Sequence, residues 1–351
     1  MTETLTETWT KNLVQDHAKT AVVVELYTLP FYLTALASIQ DKDHHAYKSL
    51  LSICIEEMLH LQLAANLCLA LETQPEFIAP KYDGKPIDYL DPNNPDTGHH
   101  KLINAKLDAL NTTTLDLMLD IETPSGLEPH RHPEKGTRKV IDRVEDDFKK
   151  IWNIEYHQTP QYPYETIGEM YDALIAGIYH VGEKNFLWNK QNQQAIWGED
   201  KEGFTQKITN FKDAQEAVKT ISFQGEGTTA QDKFAVPEKY RLEDEPEDAH
   251  EFNEYSHYER LLEIKKQGLP TVYTTNNDGQ NTQVQLDALN DLQLTFTKLL
   301  GELNSIWTSS DDSGFWETMT DRDHGIIVKA RKCWQVGVIP QWSLDINTIP
   351  A

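Results

Sequence analysis

Residues 53–71 read ICIEEMLHLQLAANLCLAL, a run that is apolar on nearly every side when it is drawn as a helix. Such a helix is expected to be buried. It nevertheless carries Glu56, Glu57 and His60, and buried charged groups are costly unless they are paired or bind a metal. Glu57 and His60 are three residues apart, so their side chains share one helix face. The segment therefore predicts a metal site on a core helix.

Three further segments combine an apolar helical pattern with interior acids. They are residues 13–39 with Glu25, residues 166–181 with Glu169, and residues 247–264 with Glu254 and His257. The last pair repeats the three-residue spacing of Glu57 and His60. Pro30 removes one backbone hydrogen bond in the first of these helices, which predicts a kink or a π-bulge there.

Together the four segments supply the ligand set of a di-metal carboxylate bundle. One Glu comes from each of two helices and a Glu-x-x-His pair comes from each of the other two, in the order that ferritin-like di-iron proteins use. The predicted ligands are Glu25, Glu57, His60, Glu169, Glu254 and His257. Four carboxylates neutralise two divalent ions, as a buried site requires. Two iron ions are the expected cofactor, and manganese or a mixed pair stays open.

Other polar residues near these positions leave alternatives open. Glu165 lies four residues before Glu169 and can replace it, although acids at a helix start are favoured as caps. Asp172, His250 and Tyr32 are placed to hydrogen-bond the ligands. A single Glu-x-x-His pair is weak evidence, because an acid hydrogen-bonded in the core gives the same pattern.

The predicted fold class is all-α, a ferritin-like four-helix bundle with a long crossover and additional helices and loops. Residues 1–268 form the bundle, with insertions at about 73–160 and 190–247 that are rich in loop-forming residues. Residues 269–351 are predicted to be a C-terminal helical extension packed on the bundle. Additional helices of this kind also favour a homodimer.

The composition limits the partners. The 351 residues include 56 Asp and Glu against 32 Lys and Arg, a net charge of −24, which argues against nucleic acid and an anionic membrane as partners. We expect no secretory signal, because the first ten residues are polar, and no stretch long and apolar enough to span a bilayer. Three cysteines form no metal or disulfide pattern. These features favour a cytoplasmic location.

Five segments resemble the ferritin-like family named after the violacein-pathway protein VioB, also called iminophenyl-pyruvate dimer synthase-like. They are VELYTLPFYLTALASI (24–39), EEMLHLQLAANL (56–67), TIGEMYDAL (166–174), FQGEG (223–227) and SHYER (256–260). EEMLH followed by AANL is the most specific part. The resemblance covers roughly residues 12–265 and leaves the remainder unassigned. It implies a competent metal site, because all six ligand positions hold Glu or His.

Two classes of function follow from this pattern. The first hypothesis is a non-haem di-iron oxidase or oxygenase that uses O2 on a small, amino-acid-derived organic substrate in secondary metabolism. Electrons would come from a reductase or from the substrate itself. The alternative is a non-enzymatic protein that binds or stores iron, and the resemblance adds an imine-coupling role of the VioB type. Oxygen consumption with an organic substrate separates the first from the second.

Overall fold

The computed structural model describes residues 8–82, 105–123, 164, 167–196, 207–225, 256–275, 281–321 and 323–343. Its α-helices are α1 (Lys11–Ser38), α2 (His45–Ala70), α3 (Thr112–Ile121), α4 (Ile167–Val181), α5 (Phe211–Gly225), α6 (His257–Gln267), α7 (Gln283–Ser309), α8 (Phe315–Thr320) and α9 (Ile326–Gln335). Among the described residues there is no β-strand, only an isolated bridge between Ile39 and Val272.

Helices α1 and α2 form the centre of the molecule as an antiparallel hairpin. The Gln15 side chain near the start of α1 donates to the carbonyl of Leu71, which follows the end of α2. Both helices are buried along most of their length, as their nearly uniform apolar sequence predicts. Pro30 lies inside α1, but every residue of α1 is α-helical, so the expected π-bulge is absent from it.

The expectation that no segment is apolar and long enough to cross a bilayer is wrong for these two helices. By length and composition alone, both α1 and α2 meet that criterion. In each, however, 89% of the apolar window is buried within the protein. The core helix of a globular protein passes the same test, so this finding is weak evidence for a membrane span.

Four shorter helices pack around the hairpin and carry the rest of the site. Helix α4 packs on α1, α5 packs on α4 and α2, and α6 packs on α2 and α3. Helix α6 begins at His257, because the Ser256 side chain accepts from the backbone N–H of Glu259 and the Glu259 side chain accepts from that of Ser256. This capping box ends the helix on its N-terminal side. The predicted helix over 247–264 is therefore interrupted at Ser256, which is not helical, and residues 247–255 lie outside the described residues.

The C-terminal helices pack against the hairpin through tryptophan side chains. Trp334 of α9 and Trp342 donate their indole N–H groups to the backbone oxygen and the hydroxyl of Thr34, at 2.9 Å and 2.7 Å. Trp307 of α7 donates to Asn66 Oδ1 at 2.9 Å. Hydrogen-bonded buried indoles combine large apolar contact with a fixed orientation. The division of the chain at residue 268 remains a prediction.

Two glycine-to-alanine substitutions test how tightly α4 packs on the residues at the start of the chain. A Cβ added at Gly177 would lie 2.7 Å from Trp9 Cε3 and 2.8 Å from Val14 Cγ2. Gly177→Ala is therefore expected to lower the free energy of unfolding by about 1–3 kcal/mol, the usual cost of overpacking. Gly301→Ala is the control, because nothing lies within 4 Å of its Cβ position inside α7. It is expected to stabilise by about 0.5–1 kcal/mol. Urea unfolding of both variants checks the pair, and equal effects would contradict it.

Candidate metal centre

Five buried side chains from four elements converge on one point in the bundle. Their contributors are α1, α2, the residue that follows α3, and the first residue of α6. The side chains are Glu25, Glu57, His60, Glu122 and His257. Four of them were predicted from the sequence, and Glu122 was not.

The carboxylate of Glu57 lies between the two imidazole rings. Its Oε1 is 2.8 Å from Nδ1 of His257 and 3.7 Å from Nδ1 of His60. The two rings stack with their centroids 5.2 Å apart. Each ring also faces a second carboxylate: Glu25 Oε2 is 3.7 Å from His60 Nδ1, and Glu122 Oε1 is 3.6 Å from His257 Nδ1. Each imidazole therefore shares Glu57 and has one further Glu of its own.

The outer nitrogen of each imidazole is held by a buried acceptor. His60 Nε2 donates to Gln224 Oε1 at 2.9 Å, and His257 Nε2 donates to Glu56 Oε2 at 2.8 Å. The other oxygen of Glu56 accepts from Nη2 of Arg260 at 2.9 Å. Since Nε2 is a donor in both rings, both Nδ1 atoms are available as metal ligands.

Hydroxyl groups fix the three inner carboxylates. Tyr171 donates to Glu25 Oε1 at 2.5 Å, Thr28 donates to Glu57 Oε2 at 2.5 Å, and Tyr32 donates to Glu122 Oε1. Both tyrosines are fully buried, and burial followed by the nearby acids raises their pKa well above the usual value. They therefore remain neutral donors that orient the acids.

The electrostatics of the cluster keep one histidine neutral and favour a charge on the other. Burial, reinforced by the charge of His257, lowers the pKa of His60 to about 3. Burial alone would also lower the pKa of His257, but Glu122, Glu56 and Glu57 raise it well above the usual value. Burial and the neighbouring charge of Glu57 raise the pKa of Glu25. Acids this close together need a cation or protons between them.

The donor set fits a transition metal. His257 Nδ1 is buried and has no hydrogen-bond partner, although it lies 2.8 Å from Glu57 Oε1. Two ligand atoms about 2.1 Å from one ion are about 3.0 Å apart at a right angle and about 4.2 Å apart on opposite sides. The separations of 3.6 and 3.7 Å fall between these limits, and the 2.8 Å between His257 Nδ1 and Glu57 Oε1 is slightly below the lower one. Imidazole and carboxylate together suit iron and manganese.

A small cavity of about 20 Å³ adjoins the carboxylates. Its wall away from the hairpin consists of Ile167, Gly168 and Tyr171 of α4 and Ile221, Ser222 and Gly225 of α5. The cavity holds one or two water-sized groups. It borders the acids and gives a small reactant a place in which to meet them.

The structure does not bring Glu169 into this cluster. Gly168 and Tyr171 line the cavity, whereas Glu169 on the adjacent face of α4 is half-buried and is not among the lining residues. It lies near Asp172, whose pKa burial and the charge of Glu169 raise to about 8. Asp172 is therefore close to Glu169, and its predicted role beside the metal ligands stays a prediction. The role predicted for Glu169 therefore stays a prediction, and Glu122 supplies the third inner carboxylate among the described residues.

The remaining predictions divide between buried partners and residues outside the described ranges. Tyr32 hydrogen-bonds an inner acid, as predicted, although that acid is Glu122. Glu254, His250 and Glu165 lie outside the described residues, so their roles remain predictions.

Sequence reasoning also missed Gln224 and Arg260, the residues that hold His60 and Glu56. They belong to the FQGEG and SHYER segments. The sequence did contain a periodic signal for Glu122. Leu115 and Leu119 form the buried face of α3, and Glu122 lies seven residues after the first and three after the second, at positions that share this face.

A helical bundle with converging Glu and His side chains defines a class of carboxylate-bridged metalloproteins. Comparison with sequence families matches residues 18–266 to the ferritin-like family, so the chain belongs to it. The all-α ferritin-like fold predicted above is thus confirmed. The crystal structure of a ferritin-like protein from Caulobacter vibrioides is similar, with a TM-score of 0.66 and 25% sequence identity. The match covers 96% of this chain and 99% of that one. No curated protein matches the chain.

Proposed function

We propose that the protein is a non-haem di-metal carboxylate oxidase or oxygenase, with two iron ions as the expected cofactor. The observation that carries this proposal is the shared carboxylate of Glu57, whose Oε1 faces Nδ1 of both His60 and His257. A carboxylate between two imidazoles, each with a further Glu, matches the ligand pattern of di-metal bundles. Bound in pairs, such ions supply the electrons and Lewis acidity with which O2 is used for oxidation.

The described carboxylate ligands neutralise most of the positive charge of two divalent ions. Glu25, Glu57 and Glu122 carry three negative charges, whereas the charge of Glu56 is matched by Arg260. A fourth inner carboxylate would make the site neutral, and Glu254 remains its predicted source. A buried site that is neutral when loaded avoids the desolvation cost of net charge.

The residues around the cluster perform the other tasks of such a site. Tyr171 and Tyr32 orient the acids by donating to them. Burial of all five inner side chains excludes bulk water, which strengthens the electrostatic interactions inside. The cavity beside α4 and α5 gives a small reactant access to the acids.

The substrate class rests on the resemblance to the VioB-type family. On that basis we propose a small, amino-acid-derived organic molecule of secondary metabolism, with electrons from the substrate or a reductase. An imine-coupling role of the VioB type and non-enzymatic iron storage are the alternatives. Cytoplasmic location, a homodimer and the absence of nucleic-acid and membrane partners also remain predictions.

Metal content and oxygen uptake test the proposal together. The full chain is loaded anaerobically with ferrous iron, desalted, and assayed for iron per chain by mass spectrometry. We expect about two ions in the wild type and fewer than one in Glu57→Ala, since that residue serves both positions. Glu76→Ala is the control, because the Glu76 side chain is 57% exposed. Its iron content is expected to equal that of the wild type.

The outcomes separate the candidate functions. Oxygen consumption by loaded wild type that depends on an added amino-acid-derived substrate supports the oxidase. Uptake of many ferric ions per chain supports storage instead. Wild-type protein without stoichiometric metal overturns the di-metal proposal altogether.

A further inference from the structure

The two halves of the metal centre have matching inner ligands. The His257 position consists of His257 Nδ1, Glu122 and the shared Glu57; the His60 position consists of His60 Nδ1, Glu25 and the same Glu57. The unshared acid of each position accepts a hydrogen bond from a buried tyrosine. Among the described residues, the types of inner ligand and the tyrosines that support them are therefore the same at the two positions.

The outer partners of the two histidines differ in charge. His257 Nε2 donates to the carboxylate of Glu56, whereas His60 Nε2 donates to the neutral amide oxygen of Gln224. A carboxylate that accepts from a ligating imidazole makes the ring a stronger donor to the metal and fixes its orientation. An amide oxygen carries no net charge and therefore strengthens the ring as a metal ligand less than a carboxylate does.

The two outer partners also differ in how firmly they are held. Glu56 accepts from Arg260 Nη2 at 2.9 Å, and Arg260 Nη1 donates to Ser52 Oγ at 3.0 Å. Both residues of this ion pair are almost fully buried, so solvent does not screen it. Gln224 Nε2, by contrast, is buried without a hydrogen-bond partner. The amide is thus anchored through its oxygen alone.

We propose that the two positions bind metal unequally, the His257 position first and more tightly, because Glu56 and Arg260 support its imidazole while Gln224 supports the other. Glu56, Arg260 and Gln224 are thereby positioning residues that make the centre asymmetric. The inference rests on the proposed function, because it concerns the same pair of ions.

Cobalt(II) is a suitable probe, because it takes the same ligands and its absorption reports coordination. The chelated full-length chain is titrated anaerobically with cobalt(II), and bound metal is counted by mass spectrometry. We expect two steps in the wild type, separated by about 10-fold or more in affinity. Glu56→Gln should weaken the first step by about 10–100-fold, the usual effect of removing such an outer partner. Gln224→Glu should strengthen the second step.

Gln224→Leu is the second variant, since Glu56→Gln leaves Arg260 without its carboxylate and can unfold the chain. It should weaken the second step alone, and far-UV circular dichroism confirms the fold of each variant. Two equal steps in the wild type, or Gln224 variants that shift both steps alike, would overturn the asymmetry and leave the di-metal proposal standing. A wild-type chain that binds no cobalt would overturn both.

Discussion

Replacing Glu122 with alanine is expected to lower the iron content of the loaded protein from about two ions per chain to about one or fewer, whereas Glu169→Ala should leave it unchanged. Glu122 Oε1 lies 3.6 Å from His257 Nδ1 and accepts from Tyr32. Glu169 is half-buried on a different face of α4 and does not line the cavity. Iron per chain after anaerobic loading and desalting measures the difference.

A charge-only variant separates ligand loss from structural damage. Glu122→Ala leaves the buried hydroxyl of Tyr32 without its acceptor, which costs about 1–3 kcal/mol. Glu122→Gln keeps an acceptor for Tyr32 and removes the charge, so it should lose iron while keeping more stability. An iron loss in Glu169→Ala with full occupancy in both Glu122 variants would show that Glu169 is the ligand.

Arg260→Met is expected to lower the free energy of unfolding of the chelated protein by about 3–5 kcal/mol, the usual cost of leaving one partner of a buried ion pair uncompensated. Arg260 and Glu56 are each 1% exposed, and their closest N–O distance is 2.9 Å. Without the guanidinium, Glu56 would be a buried carboxylate that keeps the hydrogen bond from His257 but has lost its ion pair. Chemical denaturation with circular dichroism measures the loss.

Two further variants test whether the loss of stability comes from the unpaired buried charge of Glu56. Lys266→Met is the control, because Lys266 is 78% exposed and its ion pair with Glu263 should contribute no more than about 1 kcal/mol. Adding Glu56→Gln to Arg260→Met removes the unpaired charge and should restore part of the stability. If Arg260→Met costs no more than the Lys266 control, the buried ion pair does not stabilise the bundle.

The sequence predicted the central hairpin well, because its signal is local. The length and apolar composition of residues 13–39 and 53–71 gave α1 and most of α2, and the three-residue spacing placed Glu57 and His60 on one face. Glu25 followed from the same reasoning. These inferences needed only helix periodicity, which nearby residues determine.

The errors arose where helix boundaries decide which residue faces inward. Glu122 was not among the predicted ligands, although it continues the buried stripe of Leu115 and Leu119. Glu169 follows Gly168, which lines the cavity, and its role as a ligand stays a prediction. Helix ends are the least certain part of any sequence-based assignment.

The residues that hydrogen-bond His60 and Glu56 could not be predicted from the local sequence pattern. Gln224 and His60 are 164 residues apart, and Arg260 and Glu56 are 204 apart. Neither pair has a spacing that suggests contact. The resemblance to a known family marked the FQGEG and SHYER segments as distinctive but did not assign Gln224 or Arg260 to a histidine or an acid.

The separation of 201 residues between Glu56 and His257 has a consequence for biosynthesis. A ribosome that adds about 5–20 residues per second makes His257 roughly 10–40 s after Glu56. The α1–α2 hairpin, with its short connection, can form long before that, since local contacts close quickly. During this interval Glu25 and Glu57 face each other without the histidine that completes the cluster. We therefore expect the acids of the nascent hairpin to stay hydrated or protonated until α6 has been made, so that the centre is enclosed only after residue 257 is added.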